Sequence, residues 1–160
     1  MSVTVVMYAA AAYTFALLAG VFLAFSDFIM RSLRAASPAA GIEAMQEVNR
    51  KVYRSVFLTG FLVMAPVSAI LVWYALVHVD GASSIWFATG GVIYIGGTFL
   101  VTVLGNVPMN KRLDEMDLRE RATADYWNEY SVGWTRLNHL RTVAAGVSSI
   151  SLFVGCLALN

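Results

Sequence analysis

The chain has 160 residues, 59% hydrophobic and 13% charged, with a formal net charge of +1 and a mean hydropathy of +0.68. A soluble domain is nearer a quarter charged, so composition argues against an ordinary water-soluble protein, and the small net charge gives no reason to expect a polyanionic partner. The lone cysteine, Cys156, excludes an intrachain disulfide and a multi-cysteine metal site.

Four runs carry no formal charge apart from a possible one on His78: residues 3–25, 56–79, 81–109 and 142–160. Roughly 20 helical residues cross the ~30 Å hydrocarbon layer of a bilayer. The expectation is therefore one membrane domain over 1–160, with spans at about 3–25, 55–78, 85–107 and 142–159. The first run lacks a basic leader and is longer than a signal-peptide core, so it reads as a span and not a cleaved signal. It carries Ala12, Ala16, Gly20 and Ala24 at four-residue spacing, a smooth ridge suited to helix packing. Asp27 and Arg31 then stand one turn apart, placed to pair at the membrane edge, with an inward-facing Asp27 as the functional alternative.

Ser37-Pro38 has the form of an N-cap followed by proline at the first helical position. Ile42, Met45, Val48, Val52 and Val56 then recur at helical spacing opposite Glu43, Glu47, Arg50, Lys51 and Arg54. This predicts an amphipathic helix at the headgroups leading into the second span. Pro66 inside that span predicts a kink, and Trp73, Tyr74 and His78 an interfacial anchor. Residues 80–84 form a tight loop, making spans two and three antiparallel neighbours. The third span is glycine-rich (Gly90, Gly91, Gly96, Gly97 and Gly105), which allows close helix approach or leaves room for a ligand. In the fourth, Ala144, Ser148, Ser151, Gly155 and Ala158 give a left-handed packing seam. The expected fold class is all-α: an integral membrane antiparallel four-helix bundle with amphipathic cytoplasmic helical extensions.

All eleven basic residues flank the first and third connections: Arg31, Arg34, Arg50, Lys51 and Arg54, then Lys111, Arg112, Arg119, Arg121, Arg136 and Arg141. The positive-inside rule puts both long connections in the cytoplasm and both termini outside; the short loops fit a bacterial inner membrane. The basic residues are diluted by ten acids and hug the span ends, which disfavours nucleic acid. The expected partners are the bilayer, a lipophilic aromatic small molecule and, through the small-residue ridges, further copies of the chain.

Residues 105–141 hold most of the chemistry-bearing side chains. Pro108 disfavours helix at Val107, so the chain is expected to break there, with Asn106 and Asn110 either satisfying the freed backbone or facing a ligand oxygen. The charged run 114–129 reads as a solvated connector. Trp127, Trp134, Asn138 and Arg141, at steps of 7, 4 and 3, line one helical stripe. They are either interfacial anchors or a site for an amphipathic aromatic ligand. Zinc-protease, P-loop, paired-cysteine and serine-hydrolase patterns are absent, and two histidines on opposite sides of the membrane cannot together ligate one haem.

The Gly20-Val21-Phe22 end of the first span, the Asn106-Val107-Pro108-Met109-Asn110 segment and the Trp134…Asn138…Arg141 run resemble the DUF1772, or anthrone-oxygenase-like, membrane proteins. Across this layout the resemblance covers nearly the whole chain. It implies oxidation of an anthrone-like or phenolic substrate by O2, without a recognised metal or flavin. On that reading His139 is the first candidate base, because imidazole titrates near neutrality, and Asp27 the second. Asn106, Asn110, Asn138 and Arg141 would stabilise developing oxygen charge, and Trp127 and Trp134 would stack on the rings. The alternative is a non-enzymatic bundle that binds a hydrophobic ligand or haem, or supports a partner.

Overall fold

In lipid the backbone must satisfy its own hydrogen bonds, so long apolar runs become helices. The computed structural model describes residues 2–118 and 120–159. Arg119 of the third connection and Asn160 at the end of the fourth uncharged run lie outside them. No strand occurs among the described residues. The helices are α1 (Val3–Ala24), α2 (Met30–Ala35), α3 (Pro38–Val52), α4 (Val56–His78), α5 (Ala82–Ile93), α6 (Val107–Asp114) and α7 (Arg121–Leu157). A π turn over Phe25–Ile29 fuses α1 to α2, and π segments over Tyr94–Leu100 and Thr102–Asn106 carry α5 into α6. Serine side chains cap three starts: Ser2 accepts from Val5 N, Ser37 from Ala40 N and Ser55 from Leu58 N, with Pro38 at the first helical position as expected.

Four continuous helices, 3–35, 56–78, 82–114 and 121–157, are long and apolar enough to cross a membrane, and the chain is an integral membrane bundle. The long helix over 121–157 packs against both the first helix and the third, the third packs against α4, and α4 meets α1 only sparsely. Polar clamps pin this arrangement where lipid supplies no hydrophobic drive between helices. Tyr8 Oη donates to Leu71 O at 2.7 Å, Tyr94 Oη to Phe61 O at 2.8 Å and Ser84 Oγ to Ala75 O at 2.7 Å. The rings of those tyrosines stack on Phe87 and Phe15, with centroids 3.5 and 4.3 Å apart. Gly97 lets the third span approach α7 closely, because a Cβ there would lie 2.6 Å from Ala144 Cβ.

Several expectations need correcting. The chain does not break at Val107, which keeps helical dihedrals (φ −63°, ψ −46°). The helix instead widens ahead of Pro108, with Val107 N donating to Thr102 O. The wider π register makes room for the proline ring, and the missing N–H falls in the first turn of α6. Helix α5 begins at Ala82, so the loop between spans two and three is shorter than residues 80–84; its bend is at Gly81, the one residue with positive φ (72°) among those described. The run 114–129 is not solvated throughout, since Tyr126 and Trp127 are buried. They belong to a second core with Met30, Ile42, Met45, Leu113, Tyr130 and Trp134. Helix α3 presses its apolar face onto this core and not onto lipid. Val48, assigned to that face, is exposed, whereas Gln46 and Asn49 are buried on it. On α1, Ala12 packs inward but Ala16 and Gly20 are exposed. In the fourth span Ala144, Ser148, Ser151 and Gly155 do form a buried seam.

Gly97→Val should lower thermal stability in detergent by about 1–3 kcal/mol through overpacking against Ala144, with the helical content unchanged below the transition.

Candidate functional site

The polar side chains converge where α1, α3, α4, α6 and α7 meet, at the end of the bundle that carries the second core. Polar residues of all three π segments, Ser26, Thr98 and Asn106, are buried, and Ser26 and Asn106 bond to α7 at this end. A π turn shifts the side-chain register by about one position, which re-aims the side chains around these residues.

Asn138, fully buried on α7, is the centre. Its Nδ2 donates to Phe22 O and to Ser26 Oγ, both at 2.7 Å, and its Oδ1 accepts from Arg141 Nη2 at 2.5 Å. Arg141 is only 5% exposed, so it does not reach out to lipid phosphates. Its Nη1 donates to Thr102 Oγ1 at 3.3 Å, and its guanidinium lies 4.5 Å from the Phe22 ring centroid and 5.1 Å from that of Trp134. No carboxylate pairs with it among the described residues, and its Nε has no partner. Burying a cation this way is costly unless something anionic or strongly accepting completes it.

Asn110 Oδ1 takes two donors, Tyr130 Oη at 2.9 Å and Trp134 Nε1 at 2.8 Å. Asn106 Nδ2 donates to Trp134 O at 3.2 Å while its Oδ1 is unpaired. Rings continue outward from Trp134 through Tyr130 to Trp127, with centroid steps of 6.4 and 5.7 Å.

Two adjoining cavities, of about 130 and 340 Å³, share walls made by Phe22, Asn49, Val52, Phe57, Asn110 and Arg141. Trp134 and Asn138 line the larger; Thr102, Lys111 and Asp114 line the smaller. Asn49 Nδ2 is buried here without a hydrogen bond, with the Tyr130 hydroxyl as its electrostatic neighbour. Two unpaired donors, Arg141 Nε and Asn49 Nδ2, thus belong to residues on one apolar-walled cavity. Such a cavity suits a flat, apolar ligand with an oxygen acceptor.

Of the residues expected to bind, Asn110, Trp134, Asn138 and Arg141 come together on the cavity wall. Asn106 stands behind it, bonded to the Trp134 carbonyl. Trp127 lies in the second core and does not line either cavity. Neither base candidate reaches the site. His139 is exposed, since the residue after a buried helical position turns about 100° away. Asp27 is 64% exposed and pairs with Arg31 at 3.0 Å. The acid that does line the smaller cavity is Asp114, held by Arg50 at 2.9 Å. Asn49 was not singled out from the sequence; its signal was an uncharged amide three residues after Gln46 and four after Met45, on the side of Ile42 and Met45. No group of three or more His, Cys, Asp or Glu placed to hold a metal occurs among the described residues.

A family model described as anthrone oxygenase matches residues 50–151. No curated protein and no solved structure matches the chain.

Asn138→Ala removes three bonds and leaves Ser26 and Arg141 short of partners, and should cost about 1–3 kcal/mol of stability. Asn49→Leu removes an unpaired buried amide and should be neutral or stabilising; thermal unfolding of the purified variants compares the two.

Proposed function

The chain belongs to the anthrone oxygenase (DUF1772) family, and we propose that it is a membrane oxygenase acting on a lipophilic aromatic of the anthrone, phenol or quinol kind. The observation that carries this reading is the buried Arg141, which has no carboxylate partner among the described residues and keeps an unpaired Nε, with Asn49, whose amide is also unpaired, lining the same cavities. A ketone oxygen accepting from both would gain most when it becomes an enolate or phenolate. Phe22, Phe57 and Trp134 supply apolar faces for the rings.

In the proposed reaction the substrate's acidic C–H loses a proton and the charge spreads onto the oxygen held by Arg141 and Asn49. The carbanion gives one electron to O2, and the resulting pair of radicals combines into a carbon-bound hydroperoxide, which takes up the proton. Loss of water from that carbon leaves a carbonyl. The methylene is oxidised by four electrons in all, and O2 is reduced to the new carbonyl oxygen and one water. Asp114 is the carboxylate on the wall that fits the proton transfer; O2 is the co-substrate, and the family resemblance implies no resident metal or flavin. Haem would declare itself in the visible absorbance spectrum of the purified protein.

Oxygen uptake with an anthrone in detergent or nanodiscs tests this. Arg141→Lys, which keeps the charge but loses the planar fork, should lower the rate by about 10²-fold, whereas His139→Gln and Asp27→Asn should stay within about twofold of the parent, because neither side chain lines the cavity. No protein-dependent uptake over a panel of anthrones, naphthols and quinols would refute an oxygenase and leave a ligand-binding bundle.

The basic residues at the Arg141 end support a cytoplasmic site with both termini outside, in a bacterial-type inner membrane. In a Cys156→Ser background, a membrane-impermeant maleimide applied to intact cells should label Asp80→Cys and spare Ser37→Cys; the reverse pattern would invert the topology.

A further inference from the structure

The larger cavity opens sideways, between α1 and α3 under the start of α4, with Val21 and Val48 exposed at its edge. That is the lower end of the seam between α1 and α4, the sparse contact of the bundle. Higher on the same seam lies a second, almost wholly apolar cavity of about 290 Å³, between Met7, Ala10 and Thr14 of α1 and Met64, Val67 and Leu71 of α4. Gly60 lies between the two. It shares a helical stripe with Met64, Val67 and Leu71 and follows Phe57 of the lower cavity by three residues. A Cβ built on it meets no atom within 4 Å. No side chain at that position obstructs the path between the openings.

From the dimensions of that seam we infer a substrate class: an aromatic head group carrying an isoprenoid-like chain, the head at Arg141 and the chain lying up the α1/α4 seam into the apolar cavity. This rests on the reading of the Arg141 cavity as the head-group site. The centres of the two cavities are about twelve residues apart along α1, about 18 Å at the helical rise, which an extended chain of roughly four isoprene units covers. A cavity of 150 Å³ holds a benzene, so the upper one takes on the order of twelve carbons. The polar head and the apolar upper wall match a ligand that is itself amphipathic, and the sideways mouth at the membrane edge lets it enter from the bilayer without crossing water.

Binding of a 1,4-naphthoquinone without a side chain, and of the same quinone with four isoprene units, is measured by tryptophan quenching in nanodiscs, with concentrations expressed per mole of lipid to remove partitioning. The tailed quinone should bind the parent protein about tenfold tighter than the tailless one. Gly60→Trp, which places a bulky side chain where a Cβ meets no atom within 4 Å, should reduce that ratio to within about twofold and leave tailless binding unchanged; Gly60→Ala should preserve the ratio. Equal affinities in the parent, or a ratio that survives Gly60→Trp, overturn the tail site, while tailless binding that is lost in Arg141→Gln keeps the head-group site standing. If the tailless quinone does not bind the parent at all, both readings fall.

Discussion

A buried polar group inside a membrane bundle has no water to fall back on, and the Asn138 carboxamide is where this constraint is met most fully. It joins α7 to α1 and the π turn after it through the Phe22 carbonyl and the Ser26 hydroxyl, and accepts from Arg141. The neighbouring π turn over Phe25–Ile29 is part of this joint, because a change of helical register frees carbonyl capacity and re-aims side chains at the junction. Take away the amide and the arginine loses its best partner, the α1–α7 contact loses its polar tie, and the cavity beside them loses a wall.

Arg141 is stabilised only in part by its surroundings. Two of its nitrogens are bonded, two aromatic faces lie near the guanidinium, and the third nitrogen has no partner. An arrangement built for stability alone would replace such a charge or pair it with an acid. Keeping it, together with an unpaired Asn49 amide on the wall of the same cavity, leaves strong donors in place before any ligand arrives. That is the organisation a site needs if it is to favour charge developing on oxygen, since donors already in position do not have to reorganise during the reaction.

The second core explains why the cavity has a roof. Helix α7 runs 37 residues, about 55 Å, well beyond the ~30 Å hydrocarbon layer. Its overhang gives Tyr126, Trp127 and Tyr130 to a core closed by α3 and α6. Gln46 Nε2 on α3 donates to Leu113 O at 2.8 Å and to Met116 O, which fixes α3 across the mouth of the bundle. The exposed ion pairs of that layer, such as Arg50 with Glu47 and Asp114, each add little on their own. Desolvated aromatic area and satisfied amides hold the roof in place.

How much of this was legible beforehand follows from what each feature depends on. The four spans, the Ser37-Pro38 start and the placing of Trp134, Asn138 and Arg141 on one helical stripe depend on composition and helical period, which are local. The sequence by itself therefore determined an all-α membrane bundle, which of its ends is polar, and the residue types available at that end. Pro108 misled because its local preference is to end a helix, whereas the π register upstream lets the helix continue, and that register is stabilised by packing on α7. His139 and Asp27 carried suitable chemistry but were turned outward by the helical phase of their buried neighbours. Asn49 and Asp114 came into play through helices that meet only in three dimensions. The pairing of unpaired donors on one wall, and the open seam between α1 and α4, were decided by the tertiary structure alone: both are properties of how distant segments fail to fill space or satisfy hydrogen bonds, and no local pattern encodes a gap.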